Sequence, residues 1–521
     1  MPERIETFRL LWPLLITFVA PYLIWLARRR PNLREGVSFA AAIAACACVV
    51  TLIPDVLAGK IPTLTLFTIL PGVTVTFCAD GLSLVFGLIS TFLWIVVTCY
   101  NIGYMRSLNE HAQTRYYFCF AVAIFGAVGV ALSANVFTLY LFYEIITVFT
   151  YPLVAHHQDD EAFAGARKYL VYLMGASKLF LLPAMVLTYV LCGTLEFHLG
   201  DLLRGAFPAD APPALVTLTY FLYIAGLAKA ALIPLHNWLP SAMVAPTPVS
   251  ALLHAVAVVK AGVFCVCRII LSLFGLELMD VLYLGIPTAM LAALTIVAAS
   301  TVALTKDDLK ARLAYSTVSQ LSYVIIGVAM LTPLAVQGGV MHIAHHAFSK
   351  ITLFMAAGAI YVATHYRRIS QMPGLGRRMP WTFGAFAIAS LSMIGVPPVC
   401  GFVSKWYLAS GAMAIPFKPV AEQSLFSFLN HMDAGRWLVS HAPLVLLCAL
   451  LASTLLNAGY FAPVVWQAFF KAPAPGTDTS GGEAPLTMLV PFCLTALVSV
   501  LLGLYPQAFS SFVYALGGFK P

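Results

Sequence analysis

Apolar residues fill this chain in long blocks of the ~20 residues that a helix needs to cross a bilayer, separated by short charged or Pro/Gly-rich breaks. The shorter, alternating segments of a membrane barrel do not describe the pattern. About fourteen spanning helices are predicted, near 9–28, 36–58, 79–104, 116–133, 136–155, 168–192, 213–238, 246–273, 281–304, 312–332, 335–365, 381–412, 442–468 and 486–515. The expected fold class is an all-α membrane protein.

Two of the segments, the seventh and the twelfth, carry proline at mid-depth. Pro234 cannot donate to the carbonyl of Ala230, and Pro397 and Pro398 free the carbonyls of Met393 and Ile394. Both helices are expected to break, each with a lysine near the break, Lys229 and Lys405. Unwound backbone at that depth needs cover from protein or water; a harmless proline kink is the plainer alternative. The two breaks stand five segments apart, and five is odd. Blocks 116–273 and 281–468 would therefore cross the membrane in opposite senses, as an inverted repeat flanked by three helices in 1–115 and one in 486–515.

Composition agrees with the pattern: 61% of the 521 residues are hydrophobic and 10% charged, against roughly 25% charged in a soluble domain. The net charge of +8 needs no nucleic-acid partner, because Lys and Arg set membrane topology. With the first connecting loop placed in the cytoplasm, sixteen Lys/Arg fall inside and seven outside. Both termini then lie outside, and a bacterial inner membrane is the expected location. The first segment ends in Arg28, Arg29 and Arg30 without a small-residue cleavage site, so it is expected to be retained. The eleven cysteines sit in apolar stretches, closest at Cys46/Cys48 and Cys265/Cys267, and no metal or other cofactor is expected.

The remaining six cations, Lys178, Lys229, Lys260, Arg268, Lys350 and Lys405, fall inside apolar segments. A cation at the bilayer centre costs ~2.5 kcal/mol or more, so several together point to an ion path. Glu144 is the one acid read as deep, and Lys229 is its expected partner; a structural salt bridge is the alternative. At an effective dielectric near 20, parting such a pair from ~4 to ~8 Å costs roughly 2 kcal/mol, enough to switch a proton. Snorkelling explains Lys178 or Lys260 taken singly. His342, His346 and Lys350 recur at i, i+4 and i+8 and share one helix stripe, a spacing suited to a proton relay. Zinc is a weaker reading of those histidines, since the span has no carboxylate or Cys. His254 either extends the line or is a satisfied core histidine. His156, His157, Asp159, Asp160 and Glu161 read as a solvated cytoplasmic loop, and 471–485 as a flexible linker.

Taken together, FYE at Glu144, GLAKAALIPLHNWLPSAMVAPTPVSALLHAVAVVKAGV, LKARLAYSTVSQLSY, HIAHHAFSKITLF and GVPPVCGFVSK resemble the antiporter-like subunits of respiratory complex I, Mrp-type cation/proton antiporters (their D-type member) and membrane-bound hydrogenases. The resemblance covers residues 79 to 470. It implies fourteen core helices in two inverted five-helix repeats. It also implies Glu144 and Lys229 as an interacting pair, His254, His342 and His346 as connectors, Lys350 as central relay and Lys405 as outer gate. Lys178 has no counterpart, and its role is open. Absence of the long lateral helix of the largest complex I member favours an Mrp- or hydrogenase-type chain.

The expected function is proton, or Na⁺/H⁺, translocation beside other membrane subunits of a larger complex. Moving one proton against 100 mV needs ~2.3 kcal/mol. With no P-loop, dinucleotide fingerprint or cofactor ligands, no catalytic or redox site is expected in this chain, and a neighbour or gradient must supply the energy. Two other readings are a membrane partner of a soluble zinc protein in inorganic carbon uptake, and a quinone enzyme.

Overall fold

A computed structural model describes residues 3–255, 257–473 and 482–517, the side chains of 252–255 excepted. The main elements are β1 (Glu3–Glu6), α1 (Leu11–Leu26), α2 (Pro31–Val50), β2 (Lys60–Leu70), β3 (Val73–Cys78), α3 (Gly81–Ser107), α4 (Gln113–Ala131), α5 (Val136–Val154), α6 (Asp160–Cys192), α7 (Pro213–Gly226), α8 (Thr247–Ala255), α9 (Val258–Arg268), α10 (Gly285–Thr305), α11 (Leu309–Ala329), α12 (Pro333–Thr364), α13 (Pro380–Ile394), α14 (Cys400–Met413), α15 (Asp433–Phe470) and α16 (Leu486–Leu504). Ten helices among the described residues are long and apolar enough to cross a membrane. The apolar helices α7 and α13 are shorter, and each runs into an interruption where the prolines stand.

Short polar side chains start the helices. Asp80, Asn135, Asp159 and Asp308 each accept a hydrogen bond from the backbone N–H three residues on, satisfying donors that have no intrahelical partner. Among the described residues, π-turns occur at Ser177–Leu181 inside α6 and at Ile269–Phe274 after α9. Such a turn adds a residue and rotates the face that follows it.

The chain is not all-α. A three-stranded sheet pairs β1, before the first apolar segment, in parallel with β2, and β2 antiparallel with β3, the last two lying between the second and third apolar segments. Alternating β-branched residues on either side of Pro71-Gly72 carry the hairpin signal that a reading for long apolar blocks passes over. Gly72 turns with φ +77, and a Cβ there would lie 2.1 Å from the carbonyl oxygen of Gly193.

α12 is the axis of the packing. Every residue from Ala335 to Ile360 is buried, with α11, α13, α14, α16 and α8 around it. A helix enclosed on all sides has no lipid face, so its polar residues must find partners in the protein. At the other extreme α15 exposes Leu451, Leu455 and Trp466.

Candidate functional site

The polar side chains on α12 set the geometry. His342 and His346, one turn apart, stack with ring centroids 6.0 Å apart. His342 Nδ1 lies 2.8 Å from Ser404 Oγ on α14, and its Nε2 lies 3.0 Å from Gln320 Oε1 on α11. His346 Nδ1 is 2.7 Å from Lys260 Nζ on α9. Four helices thus meet at two imidazoles, and Lys260 is fully buried against them. Which ring nitrogens carry protons follows from these partners: Lys260 donates to His346, so that Nδ1 is the acceptor when the amine is charged.

Lys350, two turns beyond His342 on the same stripe, reaches away from the imidazoles. Its Nζ donates to Ser316 Oγ at 2.9 Å. The Tyr460 hydroxyl on α15 lies 3.0 Å from the same oxygen; its one proton goes to Asn457 Oδ1, so it accepts from the Ser316 hydroxyl. Asn457 Nδ2 donates to the Met393 carbonyl at 3.3 Å. That carbonyl and its neighbour Ile394 are the two left without backbone donors by Pro397 and Pro398, and Lys405 Nζ donates to them at 2.7 and 3.0 Å. One run of polar groups therefore joins Lys350 to Lys405 across the break. Tyr323 fills the space between the two clusters, 5.5 Å from the His342 ring and 4.9 Å from Lys405 Nζ, centroid distances in both cases.

The first break is organised differently. Lys229 lies in the single turn Ala228–Ala230 after α7 and is fully buried. Its Nζ donates to the Tyr143 carbonyl at 2.6 Å and to Thr147 Oγ1 at 2.8 Å, and stands 3.1 Å from the Tyr143 ring centroid. The ion partner of Glu144 is Lys178, with Nζ 3.5 Å from Oε2, and Ser177 donates to Oε1. The expected direct pair of Glu144 with Lys229 is thus replaced. The π-turn of α6 brings Ser177 and Lys178 round to the carboxylate, while Lys229 faces the backbone one residue earlier. Lys178, left without a role by the sequence, is half-exposed and also bonds Tyr140. His254 lies in α8, and its side chain is outside the described residues.

Gly262 of α9 holds the Lys229 turn close. A Cβ there would come within 2.4 Å of the Ala230 nitrogen and the Lys229 carbonyl carbon. Gly262→Ala is expected to force the two apart and cost ~1–3 kcal/mol, read as a lower thermal midpoint of the purified protein.

Comparison with known proteins adds an independent observation. The family model described as NADH:quinone oxidoreductase/Mrp antiporter, TM, matches residues 133–421, more than half of the chain. The chain belongs to this family. Among curated relatives of this NADH:quinone oxidoreductase/Mrp antiporter member, NADH-quinone oxidoreductase subunit N of Desulforudis audaxviator is 33% identical over 444 residues, covering 82% of this chain and 81% of the relative. A putative antiporter subunit, mnhA2, of Staphylococcus aureus is 32% identical over 344 residues, 63% of this chain; the match spans only 42% of that longer relative. Two solved structures share the fold over almost the whole chain. The archaeal membrane-bound sulfane sulfur reductase complex superimposes with TM-score 0.79 at 24% identity, covering 97% of this chain and 96% of that one. The Mrp complex from Dietzia sp. DQ12-45-1b superimposes with TM-score 0.77 at 21% identity, covering 98% and 96%.

Several groups in this family member's polar core escape a reading of charges alone. Ser453, Asn457 and Tyr460 recur at i, i+4 and i+7 in the apolar α15, a helical spacing that marks one polar stripe. Asp80, a second deep acid, is fully paired with Arg268. Its position directly before an apolar run marks it as a helix cap.

Proposed function

We infer that this chain is a proton-translocating, or Na⁺/H⁺-exchanging, membrane subunit working beside other membrane subunits of a complex I-like, Mrp-like or hydrogenase-like assembly in a bacterial inner membrane. The observation that carries this reading is the run from Lys350 through Ser316, Tyr460, Asn457 and the Met393 carbonyl to Lys405, buried among apolar helices. Membrane proteins rarely bury amines; hydroxyls carry the run from Lys350 to Tyr460, and a proton going on to Lys405 needs water beside the Asn457 amide and the Met393 carbonyl. Asn457 cannot relay a proton through its amide; it holds Tyr460 against the break. The relatives named as quinone oxidoreductase and antiporter subunits support the same class.

In this reading the chain crosses the membrane fourteen times with both termini outside. Each interrupted segment, α7 with the turn at Lys229, α8 with α9, and α13 with α14, counts as one crossing. Blocks 116–273 and 281–468 form the two inverted repeats, flanked by 1–115 and 486–515. The matched breaks at Pro234 and at Pro397 and Pro398 support that arrangement. Glu144, Lys178 and Lys229 serve the first repeat. His254, Lys260, His342 and His346 connect it to Lys350 and Lys405 in the second. The exposed apolar side of α15 offers neighbouring subunits or lipid a surface. The relatives give no support to the alternative coupling to a soluble zinc protein.

The test is ion flux in proteoliposomes containing the purified complex, under an imposed gradient and with a pH-sensitive dye inside. Lys229→Ala is expected to slow pH equilibration about tenfold, ~1.4 kcal/mol on the barrier, with the assembly intact. Unchanged flux would remove Lys229 from the path. Repeating the assay with and without Na⁺ separates H⁺ transport from exchange.

A further inference from the structure

The loop expected to be solvated is partly sealed. His156, immediately after α5, has a side chain with no exposure, and neither of its ring nitrogens has a hydrogen-bond partner. Its Nε2 stands 3.5 Å from Glu110 Oε2 in the loop between α3 and α4. Nδ1 is unpartnered and Nε2 has only that long contact, whereas buried polar atoms are almost always satisfied. The ring of His111, exposed on the same loop, lies 4.7 Å from that of His156. One ligand atom each from Glu110, His111 and His156 falls within 4.8 Å of the others. His157 adds a fourth candidate, with Nε2 3.5 Å from Glu110 Oε1.

We propose that Glu110, His111 and His156 form a binding site for a borderline transition-metal ion, Zn²⁺ above all, with His157 or water as fourth ligand. Two imidazoles and a carboxylate suit tetrahedral Zn²⁺ and disfavour Ca²⁺ or Mg²⁺, which take oxygen. Zn²⁺ holds nitrogen at roughly 2.0–2.1 Å, so the ligand atoms must close by about 1 Å. His111 sits on an exposed loop and can make that movement.

The position gives the site a consequence. Glu110 and His157 line a cavity of ≈ 560 Å³ that also reaches Lys310, Asp308 and Arg367. A metal at its rim would tie the α3–α4 loop to the end of α5, the helix that carries Glu144.

The experiment is titration of the purified, metal-stripped full chain with ZnCl₂ by calorimetry, and with CoCl₂ by visible absorption, where a tetrahedral site absorbs far more strongly than an octahedral one. Wild type is expected to bind one ion per chain with a tetrahedral Co²⁺ spectrum. His111→Ala, on the exposed loop, is expected to weaken binding at least about tenfold, and His111→Cys to retain it with a sulfur-shifted spectrum. Glu110→Gln gives a second ligand deletion with the same expected loss. Wild type that binds no ion, or binds it as tightly after His111→Ala as before, overturns the proposal. Neither readout depends on transport, so failure here leaves the ion path standing.

Discussion

Arg268→Ala is expected to cost ~3–5 kcal/mol of stability, the penalty for leaving a buried charge without its partner. Arg268 is fully buried, and its Nη2 donates to Asp80 Oδ1 at 2.6 Å and to Ser83 Oγ at 2.8 Å, while Nη1 bonds the other carboxylate oxygen. The same carboxylate accepts the Ser83 N–H at 2.9 Å and so starts α3. Removing the guanidinium strands a charge and loosens a helix start together. Thermal unfolding of the detergent-solubilised protein reads the effect as a midpoint lowered by several degrees and a reduced folded yield. Asp80→Leu combined with Arg268→Met should recover much of the loss, because no charge is then left alone. A midpoint for Arg268→Ala within a degree of wild type would show that the pair contributes nothing.

Lys350→Met should have the largest effect on flux, a fall on the order of a hundredfold, ~2.7 kcal/mol on the barrier. Methionine keeps the apolar stem and the packing in a helix enclosed on every side, and removes only the proton carrier. Tyr460→Phe deletes one hydroxyl from the run to Lys405 and should slow flux about tenfold. Tyr323→Phe is the comparison, since the Tyr323 hydroxyl faces the Leu450 carbonyl at 3.5 Å and meets the run only at Asn457, which passes no proton. Equal loss in Tyr460→Phe and Tyr323→Phe would mean that packing, not proton transfer, governs the rate. Proteoliposome flux at matched protein content is the measurement.

Long helices were the most legible part of the fold, because each is one apolar run whose ends are set by nearby caps and breaks. The proline interruptions were legible for the same local reason: a missing N–H frees a definite carbonyl, and at Met393 and Ile394 those oxygens meet Lys405. Partners across the fold were not. Asp80 and Arg268 stand 188 residues apart, and nothing local to either names the other. Glu144 meets Lys178 through a π-turn, a one-residue change of phase that regular helical spacing does not contain. The β-hairpin was visible in its alternation but was eclipsed by the longer apolar runs beside it. His156 carried no local sign of burial, since its cover comes from the α3–α4 loop.

At the second interruption the amine and the backbone fasten one another. Should Lys405 swing away, the Ile394 oxygen loses its side-chain donor and the Met393 oxygen keeps only Asn457, at a cost of several kcal/mol unless solvent follows. Moving the cation and admitting water are therefore coupled, and a dry excursion of that side chain is penalised.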